Sequence, residues 1–464
     1  MIVINIKELS RNKKVYNSII VLFSMVLIYL LISIYFVNHT FFGTSINGVD
    51  ISLKAYDELD DIIRSFVKGY ELQLIERNGK SEVITGQNIG MEYSEINITS
   101  KINKLQNPLK WISSLFRKPK YYTSRLFVYN EALLQTQINE LNCLNKNIIA
   151  PQNVSFRYSN GSYELVKEIY GNRINIEKLN KAIEMSIIKG LTKLDLNKND
   201  CYENPTYTLS SAKTFETKKL LDKYVSTKVT YFFRDKSEQL DGNRINHWLS
   251  VDENLEIVIN EQSVQAYVKE LSKKYDTVGV ARKFRTSVNK VIEVKDGFYG
   301  WKIDRNAEAK ALIDNIKLGE VVEKEPIFAQ TAFTKDADDI GNTYVEINIT
   351  RQHLWFYKDG KLIAHGGVVT GNPNRGNATE VGIYMLNYKQ YGSTLRGHNY
   401  EADVTYWMPF NGNVGIHDAS WRHSFGGNIY KSNGTHGCVN APLYLAKKIF
   451  ENIESGTPVI CYEE

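Results

Sequence analysis

Two short stretches near the C-terminus hold the residues best able to do chemistry. They read Gly415-Ile416-His417-Asp418 and Asn433-Gly434-Thr435-His436-Gly437-Cys438-Val439-Asn440. A thiol is only a few per cent thiolate at neutral pH, and an imidazole that takes its proton makes it a strong nucleophile. Gly437 lets the backbone turn sharply before the cysteine, with the amides of Gly437 and Cys438 as the expected donors to a developing oxyanion. Such a set performs acyl transfer through a thioester. His417 lies 21 positions before Cys438 and is the expected base, so only folding can join the two. His436 is expected to line the donor pocket or assist the oxyanion hole. Asn440 would position the loop or bond the substrate peptide, and Thr435 would shape the turn. His423, in Trp421-Arg422-His423-Ser424-Phe425, is expected at the rim of the cleft or simply exposed.

Two other uses of these residues fit less well. Zinc takes histidine and cysteine ligands, but His436 and Cys438 are two apart and no second close pair completes a site, so no metal is expected. Free cysteines are often inert core residues. Cys461, in the apolar run Val459-Ile460-Cys461, suits that role; Cys438, flanked by Gly437, His436 and Asn440, does not.

His417, a gap of 17 residues and then Thr-His-Gly-Cys-Val-Asn is similar to the signature of L,D-transpeptidases of the YkuD type. The resemblance runs from about Tyr344 to the end of the chain. Tyr344 to Ile363 resembles the family's opening hairpin, and Val368-Val-Thr-Gly371 and Tyr406-Trp-Met-Pro-Phe410 are also similar. One departure is Thr379-Glu-Val-Gly382, where the family often has Thr-Pro-x-Gly. The resemblance implies that His417 is the base, oriented by the carbonyl or side chain of Asp418. It implies that Cys438 attacks the bond after the third residue of a tetrapeptide stem and expels the terminal D-alanine. A side-chain amine on a neighbouring stem then takes the acyl group in a 3→3 cross-link. No cofactor is implied, and carbapenems are implied to acylate Cys438. Water in place of the amine would make an L,D-carboxypeptidase of the same residues. A wall-binding anchor with a vestigial site is the non-enzymatic rival, against which the paired His417 and Cys438 stand.

The elements around this site begin with chain size. The 464 residues allow two to four domains. A net charge of +5 from 57 basic and 52 acidic residues is too balanced for nucleic acid. The cysteines 143, 201, 438 and 461 form no CxxC pair, so neither a disulfide framework nor a zinc ribbon is indicated, and whether Cys143 and Cys201 pair outside the cell is left open. Ser18 to Val37 is uncharged and apolar, long enough as a helix to span the hydrocarbon of a bilayer. Lys7, Arg11, Lys13 and Lys14 precede it, so the positive-inside rule sets residues 1–17 in the cytoplasm and the rest outside, facing the cell wall. Val37-Asn38-His39 supplies no small-x-small cleavage site, which favours an anchor over a signal peptide.

Between the span and the catalytic domain, Gly43 to Arg77 resembles the start of the type-4 peptidoglycan-binding domain. Tyr170-Gly-Asn-Arg-Ile-Asn175 and Tyr299-Gly-Trp-Lys-Ile-Asp304 share Tyr-Gly-x-x-Ile-Asx before an amphipathic run, the sign of a tandem. Arg282-Lys-Phe-Arg-Thr-Ser287 is also similar to that domain. The expected order is therefore multidomain: a transmembrane helix over 18–37, two α+β wall-binding modules over 45–208 and 209–332, and a mostly-β YkuD-type catalytic domain over 343–462. The modules are expected to hold glycan strands or stem peptides, or to act as spacers. Lys335 to Asn342 reads as a polar hinge into the catalytic domain. That domain's strands are expected at Val345–Thr350, Leu354–Lys358, Leu362–Thr370 and Gly382–Tyr388, with a helix from Leu443 to Glu451 after Pro442.

Overall fold

Each Asx of the internal echo opens a helix in the computed structural model, which describes residues 13–94, 97–397 and 400–464. The Asn175 side chain accepts from the Lys178 amide at 3.0 Å and starts Ile176–Ile188. Asp304 accepts from the amides of Asn306 and Ala307 and starts Arg305–Leu318. Each bond satisfies a first-turn N–H that the helix itself cannot. A strand follows each helix and pairs in parallel with the first strand of a hairpin: Lys193–Asp195 beside Glu71–Ile75, and Val321–Lys324 beside Lys228–Phe233. The repeats also share an Asn-capped helix that lies earlier in each, Glu131–Asn139 behind Asn130 and Glu261–Tyr275 behind Asn260. The tandem is thus a repeat of topology. The helix Lys13–Asn38 has a mean hydropathy of 2.7 over its most apolar window and is long and apolar enough to cross a membrane. Most of the expected cytoplasmic tail lies outside the described residues.

The chain divides into two compact units, the first comprising residues up to Ser155 and Val166–Ser211, the second Phe156–Leu165 and Ala212–Glu464. The intervening hairpin tip lies within the range expected for the first module, yet it packs in the second unit. Tyr163 joins the core of Val229, Tyr231 and Phe233 there, and its amide donates to Asp222 at 2.7 Å. The apolar side of this hairpin, Phe156, Tyr158 and Tyr163, finds its cover on that core. All four cysteines are buried and free, so Cys143 and Cys201 are thiols rather than a bridge.

The second repeat carries a similar hairpin, Arg282–Arg285 with Val291–Val294, and this one covers the C-terminal domain. Phe284 and Val294 share a cluster with Ile383, Ile460 and Tyr462. Its effect shows on the strand Tyr344–Asn348, where Val345 and Ile347 point into the catalytic core while Glu346 on the other face is also fully buried. Glu346 accepts from the Ser287 amide and hydroxyl and from the Tyr462 hydroxyl, the last at 2.6 Å, which gives a buried carboxylate the donors it needs. Alternation alone would have left Glu346 in water.

The segment Lys335 to Asn342 is held down instead of hinging. Asp339 is 2% exposed in its side chain and pairs with Arg234 at 2.6 Å and Arg282 at 2.9 Å. Arg282 also donates to the carbonyls of Thr277, Val280 and Asp338. Polar composition suggested a free linker, but here the polar groups are partners to buried cations. Asp339→Ala leaves both guanidiniums without their carboxylate and is expected to cost about 3–5 kcal/mol, as for other broken buried pairs. Urea unfolding of the two proteins, followed by tryptophan fluorescence, measures this; a loss under about 1 kcal/mol would mean the pair adds little.

The C-terminal domain is mostly β. Five strands run in the order Lys361–Gly367, His353–Lys358, Tyr344–Asn348, Pro458–Tyr462 and Gly382–Met385. Four more run Gln390–Gly397, Tyr400–Asn411, Val414–Asp418 and Val439–Ala441, the last pair parallel. One core joins both sheets and the helix Leu443–Asn452, with Leu354, Phe356, Met408, Ile416, Val439 and Leu445 among its members. The four-stranded sheet positions the site.

Candidate active site

The strand Val414–Asp418 pairs in parallel with Val439–Ala441, with Ile416 beside Val439 and His417 beside Asn440. Side chains alternate along strands, so Ile416 and Val439 fall into the core while His417, Cys438 and Asn440 share the opposite face. That alternation brings the imidazole and the thiol to one face. His417 also pairs with Trp407 across the antiparallel edge, and its ring lies 5.9 Å from Trp407 and 6.1 Å from Trp421.

His417 Nδ1 lies 2.9 Å from the Asp418 carbonyl oxygen. A carbonyl can only accept, so Nδ1 carries the proton and Nε2 holds the lone pair. Of the two acceptors expected at Asp418, the carbonyl holds the imidazole. The carboxylate is turned away and accepts from the amides of Thr405 at 2.9 Å and Tyr406 at 2.7 Å, locking the neighbouring strand. Burial pushes the His417 pKa below the ordinary range; Asp418 opposes that shift and the Arg422 cation adds to it. Burial likewise raises the Cys438 thiol, while the Gly415 amide works against the rise. The thiol lies 3.6 Å from the Asn413 carbonyl oxygen. Both shifts favour the uncharged forms, thiol and imidazole.

The loop before Cys438 is held from two sides. Gly437 has φ +119°, a conformation that side-chain-bearing residues rarely adopt, and an added Cβ would meet Val414 at 3.1 Å. Its amide donates to Thr435 Oγ1 at 3.1 Å, and the Thr435 hydroxyl donates to the Cys438 carbonyl at 2.5 Å. The Gly437 amide expected to face an oxyanion is therefore bonded to Thr435, whose hydroxyl completes the turn. From the other side Thr379 donates to the Gly437 carbonyl at 2.7 Å and accepts from the Gly371 amide at 3.0 Å. Sequence reasoning gave Thr379 no role, although it opens the stretch Thr379 to Gly382 that departs from the family pattern. Thr379→Val keeps the volume and removes both bonds. Two buried backbone groups lose their partner, at an expected cost of about 1–3 kcal/mol each and a several-fold fall in turnover. Thermal unfolding beside steady-state kinetics checks this, and an unchanged turnover would limit Thr379 to stability.

A cavity of about 540 Å³ opens over the thiol. Cys438, His417, Thr435, His436 and Asn440 all line it. His436 is exposed and Asn440 buried, its backbone pairing with Val369 in both directions. His423 is exposed and is not among the lining residues. Sequence reasoning gave no role to two parts of the wall. Trp421 and Arg422 lie in the stretch for which only His423 was given a place at the rim, and Arg422 donates to the Asn433 carbonyl at 2.8 Å. Glu401 and Asp403 come from the long hairpin over Gln390–Asn411, for which only Tyr406 to Phe410 had been singled out. Among the described residues no group of three or more histidine, cysteine or acidic side chains could hold a metal ion.

The family model of the L,D-transpeptidase catalytic domain, YkuD, matches residues 342–461. That of the peptidoglycan binding domain matches twice, over 83–195 and 208–322. A crystal structure of a mutant Enterococcus faecium L,D-transpeptidase is 33% identical, over 53% of this chain and 100% of that one, with a TM-score of 0.44. This chain belongs to the L,D-transpeptidase family. The carbamoyl enzyme of Ldtfm with avibactam is 32% identical, over 54% of this chain and 99% of that one, with a TM-score of 0.45. The catalytic domain of the E. faecium L,D-transpeptidase is 39% identical, over 26% of this chain and 97% of that domain, with a TM-score of 0.25. A search of curated proteins gives no match. The chain is thus a multidomain L,D-transpeptidase: two peptidoglycan-binding domains precede a C-terminal YkuD domain, and an apolar helix lies near the N-terminus.

Proposed function

We propose that the protein joins peptidoglycan stem peptides through a thioester on Cys438, forming 3→3 cross-links at the outer face of the membrane. The observation that carries this reading is the common face of His417 and Cys438, with Nδ1 fixed on a carbonyl and Nε2 left as the base. His417 takes the thiol proton as sulfur attacks the carbonyl carbon of the third stem residue. The Cys438 amide faces the oxyanion. The C–N bond to the terminal D-alanine breaks, and the imidazolium returns its proton to the departing amine. An amine from a neighbouring stem then attacks the thioester, His417 takes its proton, and the thiol is restored. His436 lines the donor pocket, and Asn440 bonds the substrate peptide.

Glu401 and Asp403 in the cavity wall favour an amine acceptor over water, since carboxylates raise the local concentration of a cationic amine. A groove of about 750 Å³ in the first repeat, lined by Arg64, Lys68, Gln87, Glu92 and Tyr93, supports binding of glycan or stem peptide there over a spacer role. The helix Lys13–Asn38 serves as the anchor.

Incubation of the full chain in detergent with purified tetrapeptide muropeptides, followed by mass spectrometry, tests the reading. Cross-linked dimers that depend on Cys438 support it. Tripeptides alone would move the assignment to an L,D-carboxypeptidase, and unchanged substrate beside a reactive thiol would leave a wall-binding anchor. Acylation by ertapenem, which the E. faecium catalytic domain undergoes, is expected at the same thiol.

A further inference from the structure

The two repeats differ in one connection. In the second, the antiparallel pair Leu249–Val251 and Ile257–Ile259, just before the Asn260-capped helix, is joined by residues 252–256. In the first, the corresponding pair Glu92–Tyr93 and Phe127–Val128, before the Asn130-capped helix, is joined by residues 94–126. The longer connection contains the helices Ile98–Leu105 and Ile112–Phe116 with a turn at Pro108–Lys110. From Asn97 to Asn130 there is no acidic residue, while Lys101, Lys104, Lys110, Arg117, Lys118 and Lys120 are all exposed.

The same stretch shows water a row of large apolar side chains. Leu105 is 64% exposed, Leu109 55%, Leu115 53% and Phe116 84%. A folded domain has no reason to leave Phe116 in that state unless something covers it. Its neighbour is the apolar helix. Trp111 stacks on Phe36 at 6.0 Å and lies 6.1 Å from Tyr29, whose hydroxyl donates to the Leu109 carbonyl. Both ends of the insertion are tied to the residues that follow this helix. Gln106 accepts from the Phe41 amide at 3.0 Å, and Ser45 donates to the Pro119 carbonyl at 3.0 Å.

We infer that residues 104–120 form a second membrane contact, lying in the outer leaflet against the span and taking an anionic lipid surface as partner. The inference rests on reading Lys13–Asn38 as that span. Tyr29 is nine residues from the helix end, about 13 Å at 1.5 Å per residue, so Leu109 and Trp111 sit beside hydrocarbon instead of above it. Leu105, Leu109, Leu115 and Phe116 enter the acyl boundary, and the lysines reach lipid phosphates, the composition of an interfacial helix. Only the repeat that follows the span needs this device, and only that repeat has it.

The test uses the full chain in nanodiscs with a lipid carrying a photoactivated carbene on its acyl chain, read by peptide mass spectrometry. Labelling of both the span and residues 105–117 in phosphatidylglycerol discs is expected. Phe116→Asn with Leu115→Asn should remove the second set alone; both side chains are exposed, so folding is spared. Lys110→Glu, Arg117→Glu and Lys118→Glu together should cut labelling of 105–117 at least tenfold, since each basic group near an anionic surface contributes roughly fivefold. A labelled span with 105–117 unlabelled would overturn this inference and leave the anchor standing. No label on the span would sink the anchor reading itself, and the inference with it. Labelling of 105–117 that stays at the phosphatidylglycerol level both in the charge variant and in phosphatidylcholine discs would remove the anionic lipid as partner.

Discussion

Cys438→Ala is expected to abolish cross-linking, with a fall of at least about 10⁴-fold in turnover, because no other group in the cavity can hold the acyl chain between its two transfers. Cys143, Cys201 and Cys461 are buried away from the cavity and cannot substitute. The folded state should survive, since a methyl group fits where the sulfur stood. The thiol's own behaviour is a sharper check. Burial holds Cys438 above the ordinary thiol range, so it is neutral at rest. Alkylation by iodoacetamide should therefore rise with pH through a midpoint above about 8.5. A plateau already reached at pH 6 would mean a standing thiolate–imidazolium pair, and the neutral resting state described above would be wrong.

His417→Gln is the second large effect, a loss of about 10²–10⁴-fold in kcat/KM, the range of general acid–base contributions. Glutamine keeps a donor for the Asp418 carbonyl but has no lone pair to take the proton. The pH profile separates this from simple misfolding. His417 must be neutral to act, and burial with the nearby Arg422 cation holds its pKa down. The acid limb of the activity profile should be centred below the ordinary histidine value of about 6.5. Removing the cation in Arg422→Gln should shift that acid limb upward, towards neutral pH. A limb that does not move would take Arg422 out of the base's environment. A limb centred above 6.5 in the parent protein would contradict the depressed pKa.

What could be read in the sequence follows the range of the contacts involved. His417 and Cys438 were legible because the chemistry restricts the residue types and alternation then decides their face. The strand at Tyr344–Asn348 and the helix Leu443–Asn452 were legible from periodicity, within a residue or two of their ends. Thr379 was not. It meets Gly437 across 58 positions, and nothing local marks a threonine whose hydroxyl will support a loop so far away. Asp339 misled for the same reason: a run of aspartates with a glycine is a turn by composition, and its buried partners Arg234 and Arg282 lie 105 and 57 positions off. Glu346 reads as an outward-facing residue until a hairpin from another domain covers its strand. In each case the missing fact was a partner, not a propensity.

The hairpin around Tyr163 also bears on how the chain tolerates a cut in its backbone. The chain passes between its two units three times, after Ser155, after Leu165 and after Ser211. A cut at any one of these crossings yields two fragments that still share a folded unit. Cleavage after Ser211 leaves Phe156–Leu165 built into the second unit, and cleavage after Ser155 leaves Val166–Ser211 built into the first. A nicked molecule would stay assembled, its thiol still tethered to the half that carries the apolar helix.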